Sequence, residues 1–301
     1  MSSKQRRTVA PRFRPGGRNW PLLVAFLIEC GGSTKTTSEV SLATTAALRG
    51  YPGTVFDLDA NMSSSRVLGY DDTALKGRPT AYDLITGNAK LSEVRVPARY
   101  RIGDGYGDDA FEVIENLWLV PASPLLSQAD TWIALNDAQD WFMDLMHGYE
   151  DDDDVWWIDF PASYGKMVYS VARMLGEEDE VIPSFRADPK DLKTVPKLYE
   201  ELENIRSKNR NKRSVPGRPT IHHMLLTGTP TPTYNEAPAR RATTSAEQLY
   251  KDLLLPYVRY SADAKKMHED DCPLPILLPN SYPAVDYRKV ATALDFIERA
   301  G

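Results

Sequence analysis

The chain has 301 residues, of which 42% are hydrophobic and 26% charged, a composition that excludes a disordered or fibrous polymer and is ample for one large α/β domain. A formal net charge of −6 excludes a uniformly cationic, nucleic-acid-coated surface and leaves local basic patches to be judged separately. Two cysteines, Cys30 and Cys272, are too few for a disulfide framework or a four-cysteine metal site, so a reducing cytoplasm is the expected compartment.

Residues 1–20 contain Lys4, Arg6, Arg7, Arg12, Arg14 and Arg18 and read as a disordered basic arm; residues 21–301 read as a single domain. The apolar run Pro21 to Ile28 imitates a leader but is far shorter than the roughly 18 residues a spanning helix needs, and reads as a buried strand. Leu22 to Ile28 is the first strand and Thr36 to Leu48 the helix after it, ended by Gly50. Thr54 to Leu58 is a second strand, with Asp57, Asp59 and Asn61 at its carboxyl end, the edge where open parallel sheets bind ligands.

Thr80 to Leu84 and Leu91 to Val94 flank a Gly87-Asn88 turn, and Gly103 to Asp109 reads as an exposed loop. Leu117 to Val120 is a third strand. Ser127 to Met146, with spaced Trp132, Leu135, Trp141, Phe142 and Leu145, predicts one amphipathic helix. The acidic run Glu150 to Asp154 reads as a solvated loop before the strand Val155 to Ile158. Leu192 to Lys212 is helical in composition and turns basic, part of a helix and loop insertion around 192–220.

Further on, Ile221 to Leu226 is expected as a strand, Thr227 to Pro238 as a loop and Ser245 to Tyr260 as a helix. Leu274 to Leu278 is expected as a last short strand and Asp286 to Ala300 as a closing helix. The helix stripe Val290, Leu294, Ile297 reads as core rather than as a membrane tail, and His222 and His223, alternating across a strand, do not face one metal. The alternation of strands and helices predicts a doubly wound, mostly parallel sheet flanked by helices.

The chemistry concentrates in Cys30-Gly31-Gly32-Ser33-Thr34-Lys35-Thr36-Thr37, between the first strand and its helix. Backbone N–H groups at such a turn cradle phosphate oxygens, a lysine reaches the outer phosphates, and the following hydroxyl binds Mg²⁺. Lys35 and Thr36 fill those roles, with Gly31, Gly32, Ser33, Thr34 and Thr37 completing the cradle. Asp57 and Asp59 end the second strand and Asp159 ends Trp156-Trp157-Ile158-Asp159-Phe160-Pro161. Carboxylates on neighbouring parallel strands converge on the loop. Asp159 and Asp57 are candidate metal ligands with Thr36, and Asp59 is a candidate to orient the attacking water.

These motifs resemble the ParA/MinD superfamily of deviant-Walker P-loop ATPases, closest to the ParA/Soj partition branch. That family shows Lys-Gly-Gly-x-Gly-Lys-Thr-Thr, then Asp-x-Asp-Pro-Gln, then a strand ending Asp-x-Pro. Thr80-Ala81-Tyr82-Asp83-Leu84-Ile85 and Asn116-Leu117-Trp118-Leu119-Val120-Pro121-Ala122-Ser123 extend the likeness, which covers Leu22 to Gly165. It implies a P-loop NTPase fold, Rossmann-like in three layers, that binds ATP and Mg²⁺, with Lys35 and Asp59 catalytic. The resemblance also implies an ATP-dependent homodimer, non-specific DNA binding, a ParB-like centromere-binding partner, nucleoid association and no membrane.

Four positions depart from the pattern. Cys30 stands where the family has the lysine that reaches the partner's phosphates, Thr34 where it has the last loop glycine, and Ala60-Asn61 replace Pro-Gln. A neutral thiol supplies no cation to the transition state, so slow ATP hydrolysis is expected with binding retained. A β-branched Thr34 is costly if its backbone needs positive φ. Arg206, Lys208, Arg210, Lys212, Arg213 and Arg218 are candidate DNA contacts, though no residue-by-residue match to the family exists. A second reading stays open, a nucleotide-gated binding module with little or no hydrolysis; a third, a metabolic P-loop ligase of the dethiobiotin or cobyrinic acid amide kind, is disfavoured because the Thr80 to Ile85 and Asn116 to Ser123 resemblances point to partition proteins.

Overall fold

The computed structural model describes residues 12–13, 19–30, 34–103, 108–150 and 152–299. Most of the basic arm and part of the Gly103 to Asp109 loop therefore lie outside the described residues. A short antiparallel pair, β1 (Arg12–Phe13) and β2 (Asn19–Trp20), precedes the main sheet. The further strands are β3 (Leu22–Phe26), β4 (Gly53–Asp57), β5 (Val96–Arg101), β6 (Phe111–Val120), β7 (Val155–Asp159), β8 (Glu180–Ile182), β9 (Ser184–Arg186), β10 (Leu225–Thr229) and β11 (Val258–Arg259). The first helices are α1 (Lys35–Leu48), α2 (Ser63–Val67), α3 (Ala81–Thr86), α4 (Leu91–Val94), α5 (Ala129–Leu135), α6 (Trp141–His147) and α7 (Lys166–Ala172). The remainder are α8 (Pro189–Leu192), α9 (Val195–Asn209), α10 (Ala237–Tyr250), α11 (Lys266–Glu269), α12 (Leu274–Leu277) and α13 (Tyr282–Ala293).

Six strands form one sheet in the order β5-β6-β4-β7-β3-β8, parallel except for the edge strand β5, and β9, β10 and β11 form a second, parallel sheet. Residues 180–186 belong to both: β8 pairs with β3 on one side, β9 pairs with β10 on the other, and Pro183 separates them. A proline has no N–H for a ladder, which places the handover there. The chain crosses from β3 to β4 in one direction and from β6 to β7 and β7 to β8 in the other. Right-handed crossovers running in opposite directions put α1 on one face and α5, α6 and α7 on the other, the doubly wound arrangement expected from the sequence.

The central strands β3, β4 and β7 are buried along their whole length, as continuous apolar runs covered on both faces must be. Gly53 is required in β4 because a Cβ there would lie 2.7 Å from the carbonyl oxygen of Val155. Phe56, Phe142 and Trp156 fill the core in tilted and edge-on contacts.

Several elements differ from the sequence expectation, each for a local reason. The expected helix Ser127 to Met146 is two helices, because Asn136 turns its amide onto the Trp132 carbonyl and Asp137 takes a left-handed φ of 52°. Leu274–Leu277 is helical rather than a strand; Pro275 removes a ladder donor and suits a first helical turn. The helix expected over Ser245 to Tyr260 is α10, which starts at Ala237 with Pro238 in its first turn, and Pro256 separates it from strand β11. The strand expected at Ile221 to Leu226 is β10, displaced to Leu225–Thr229, so His222 and His223 precede it. The basic helix splits at Lys193 and Thr194, with Pro196 opening α9, and the closing helix runs Tyr282–Ala293 from a Ser281 cap.

The acidic run is not a solvated loop throughout. Asp153 is 3% exposed; Thr54 Oγ1 (2.6 Å) and Trp156 Nε1 (2.9 Å) donate to its Oδ2, and Arg95 donates to its Oδ1 (2.6 Å). Asp154 is also buried and pairs with Arg299.

Candidate functional site

The phosphate-loop sequence leaves β3 at the carboxyl edge of the sheet and enters α1 at Lys35; Gly31, Gly32 and Ser33 lie outside the described residues. Thr34 has φ of −85°, so a β-branched side chain is unstrained there and the glycine-like requirement considered above does not apply. Its Oγ1 lies 2.7 Å from Thr227 Oγ1 and 3.0 Å from Ser184 Oγ, tying the start of α1 to β9 and β10. Ser38, one turn later, continues the chain of hydroxyls to Ser184 (2.8 Å) and Tyr287 (3.0 Å).

Lys35 is buried, and its Nζ donates to the carbonyl oxygens of Ile28 and Cys30, each at 3.2 Å. Burial lowers its pKa below the usual lysine range, against the pull of Asp159 and Asp59. Thr36 Oγ1 donates to Asp159 Oδ2 at 2.6 Å. The other oxygen, Asp159 Oδ1, is buried with no hydrogen-bond partner among the described residues. A buried carboxylate oxygen without a donor is destabilising unless a cation or donor completes it, and Asp159 beside Thr36 is a fitting donor set for a hard, oxygen-seeking cation. Burial pushes Asp159 up to about 6 despite the Thr36 hydroxyl and Lys35.

Asp57 is placed differently. Its Oδ2 accepts from the backbone N–H (2.8 Å) and hydroxyl (2.7 Å) of Ser65, and its Oδ1 from the Asp59 N–H (3.2 Å). Both oxygens thus hold the turn that leads into α2. Burial, then the nearby Asp159 charge, raises Asp57 to about 7. Asp59 is half-buried; its Oδ1 accepts from the Asn61 N–H at 2.9 Å and its side chain faces the cavity.

That cavity, about 800 Å³, lies along the carboxyl edge of both sheets. Lys35, Thr36, Thr37 and Asp59 line one end. Tyr234 and Tyr260, stacked with centroids 3.8 Å apart, line the other with Arg259. Such a site offers a cation and orphaned helix N–H groups to an anion at one end and flat aromatic surface at the other. The distal wall was not legible in the sequence, since Tyr234 falls in the predicted loop and Tyr260 in the predicted helix.

Cys30 turns inward. It is 4% exposed and its Sγ donates to Asp191 Oδ1 at 2.8 Å, while Asp191 Oδ2 accepts from the Arg186 N–H. Burial, then the Asp191 carboxylate, pushes the thiol up to about 11, which marks it as inert. Among the basic residues singled out, Arg206 bonds Glu203 and the Pro219 carbonyl, Arg218 pairs with Glu177, and Lys208 lies over the Tyr169 ring. Arg210, Lys212 and Arg213 are exposed. His222 and His223 bond separate partners, the Glu177 carbonyl and the Glu180 carboxylate. Among the described residues no helix is long and apolar enough to cross a membrane.

A family model for an AAA domain matches residues 23–215. The fold is similar to an ATP complex of McdA from Cyanothece (TM-score 0.71, 15% identity, 93% of this chain and 99% of that one). It is also similar to cobyrinic acid a,c-diamide synthase from Mycobacterium smegmatis with an ATP analogue and magnesium (TM-score 0.69, 18% identity, 91% and 94%). A candidate plasmid partition protein from Borrelia burgdorferi bound to AMPPNP matches at TM-score 0.67 and 18% identity over 92% of this chain and 100% of that one. No curated protein sequence matches the chain.

Proposed function

The chain belongs to the AAA-domain family whose model spans residues 23–215 and has the ParA/MinD P-loop fold, and on that premise we propose that it is a Mg²⁺-dependent ATP-binding protein of the ParA partition type, with slow hydrolysis. The observation that carries this reading is the Thr36 to Asp159 hydrogen bond beside Asp159 Oδ1, which has no hydrogen-bond partner among the described residues, at the Lys35 end of an elongated cavity.

In this reading Lys35 exchanges its two carbonyl partners for phosphate oxygens, which are stronger, charged acceptors. Thr36 and Asp159 would hold the cation, and Asp57, whose oxygens are already engaged by Ser65 and Asp59, would not. A Mg²⁺ held there would neutralise charge on the outer phosphates. Asp59, facing the cavity, orients water at the terminal phosphate. The loop residues Gly31, Gly32, Ser33, Thr34 and Thr37 supply the cradle, and Tyr234 and Tyr260 offer a stacking surface for the base.

A homodimer formed on ATP, non-specific DNA and a ParB-like protein are the proposed partners, with nucleoid association following from them. Arg210, Lys212 and Arg213 are the DNA contacts we favour, because Arg206, Lys208 and Arg218 are engaged within the chain.

A second reading, a nucleotide-gated module with little or no hydrolysis, is favoured by one observation: the Cys30 side chain is neutral and held inward by Asp191. Likeness to the diamide synthase at 18% identity shows a shared fold and lends no weight to ligase chemistry.

The deciding measurement is Mg²⁺-dependent binding and hydrolysis of ATP by the purified protein, with and without duplex DNA, beside Lys35→Ala. Removing the charge-assisted contacts of the lysine is expected to weaken binding by about tenfold to a hundredfold. Binding with DNA-stimulated turnover supports the partition ATPase; tight binding without turnover supports the gated module; no binding by the parent overturns both.

A further inference from the structure

A third buried carboxyl stands behind the cation site. Glu39 lies one turn after Lys35 in α1 and is fully buried, and the hydroxyl of Ser64 in α2 lies 3.1 Å from Glu39 Oε2. The same hydroxyl lies 3.1 Å from Asp159 Oδ2. A serine hydroxyl has one proton to donate. Two ionised carboxylates sharing that single proton would leave one of them facing oxygen lone pairs inside a cavity closed to water.

The proton can sit on either carboxyl, and the surroundings select between them: Asp159 Oδ2 also accepts from Thr36 Oγ1 and lies near the Lys35 ammonium, whereas Glu39 has Ser64 alone. With the proton on Glu39, the neutral acid donates to Ser64 Oγ and Ser64 donates to Asp159 Oδ2. The remaining Glu39 Oε1 has no partner among the described residues, a vacancy that a neutral carbonyl oxygen tolerates far better than a charged one. Burial, reinforced by the charges of Asp159 and Asp57, holds the Glu39 carboxyl well above the usual range, in agreement with the bookkeeping of donors.

We propose that Glu39 is a positioning residue for the cation-nucleotide site: by donating to Ser64 it fixes the Ser64 hydroxyl on Asp159 Oδ2 and so holds the Asp159 carboxylate in the orientation that leaves Oδ1 for the ion. This rests on the Mg²⁺-nucleotide reading of the site. Ser64 thereby becomes part of the site although it contacts no ligand, and α2 is coupled to the phosphate loop through Asp159.

The test is a Mg²⁺ titration of fluorescent ATP-analogue binding, repeated in EDTA, for the parent, Glu39→Gln, Glu39→Leu and Ser64→Ala, with thermal melts of each. Glutamine keeps a donor toward Ser64; leucine fills the volume without one. Glu39→Gln is expected to keep the parent's Mg²⁺ half-saturation within about twofold, while Glu39→Leu and Ser64→Ala raise it about tenfold or more, the scale of lost support behind a metal ligand. Binding in EDTA is expected to be unchanged across the set. A Glu39→Leu protein that keeps the parent's Mg²⁺ requirement would overturn the proposal, as would a Glu39→Gln protein as impaired as Glu39→Leu, which would show that an ionised carboxylate is needed. If Glu39→Leu does not fold, Ser64→Ala decides on the same readout. Absence of Mg²⁺-dependent binding in the parent would overturn the underlying reading of the site and this inference with it.

Discussion

Cys30 Sγ lies 2.8 Å from Asp191 Oδ1, so the first residue of the phosphate loop is fastened to the short helix α8 rather than directed out of the molecule. With its pKa pushed to about 11, the thiol is almost entirely protonated at pH 8. Alkylation follows thiolate, so Cys30 is expected to react with iodoacetamide more than about a hundredfold slower than a free thiol of ordinary pKa. Asp191→Ala, which removes the acceptor, is expected to speed labelling of Cys30; peptide mapping by mass spectrometry reads both rates. Rapid labelling of Cys30 in the parent protein would contradict the inward placement.

The buried carboxyl of Asp57 gives stability a defined pH dependence. Its folded pKa, about 7, lies above the ordinary 3.8, so between those values the folded state binds the proton and the unfolded state does not. This contribution is therefore fully present below about pH 4 and is lost as pH rises through about 7. Asp57→Asn removes the titration while keeping an acceptor for Ser65. Urea unfolding of the nucleotide-free proteins at pH 5 and pH 8 is expected to show the variant gaining on the parent as pH rises; a constant difference would refute the assignment.

Asp153 joins Arg95, Thr54 and Trp156 behind β4 and β7. Arg95 also stacks on Trp118, with the guanidinium 4.3 Å from the ring centroid. Removing the carboxylate leaves a largely buried guanidinium without its counter-charge, a loss on the order of 3–5 kcal/mol. Asp153→Ala is therefore expected to lower the urea midpoint sharply. Exposed Asp152 serves as the control, where alanine should change stability by less than about 0.5 kcal/mol.

If Arg210, Lys212 and Arg213 contact phosphates, each contributes about 0.9 to the slope of log K against log salt. The triple alanine variant is expected to weaken DNA binding at all sequences alike and to reduce the slope by about 3, read by fluorescence anisotropy across a salt series. Arg218→Ala, which removes a residue already paired with Glu177, should leave the slope nearly unchanged. Equal effects of the two variants would mean the patch is not divided as the ion pairs indicate.

How far the sequence discloses this molecule depends on whether a residue's role is local. The phosphate loop, the strands ending at Asp57 and Asp159 and the helix after Lys35 are legible because each is set by neighbours in the chain: an apolar run, a turn and a helix start. The doubly wound topology follows from their alternation. Strands β8 and β9, three residues each around Pro183, carry too little pattern to be seen, and the acidic run hides Asp153 because its partners, Thr54 and Arg95, are distant in sequence. Glu39 reads as one more polar helix residue until Ser64 and Asp159 are brought against it. Thr34 shows the opposite error: an expected strain vanishes because its backbone is ordinary and its hydroxyl has partners on other strands.

The handover at Pro183 has a mechanical consequence for the cavity. Lys35, Thr36 and Asp59 hang from the six-stranded sheet, whereas Thr227, Arg259 and Tyr260 hang from or follow the three-stranded one. Among the described residues no ladder joins the two sheets directly; residues 180–186 run through both, broken at Pro183, and the hydroxyl contacts of Thr34 with Ser184 and Thr227 are among the links that span them. A molecule that touches both ends of the cavity acts as a splint across this seam. Amide exchange in β10 and β11 is then a gauge of occupancy at Lys35, even though neither strand contains a residue of the phosphate loop.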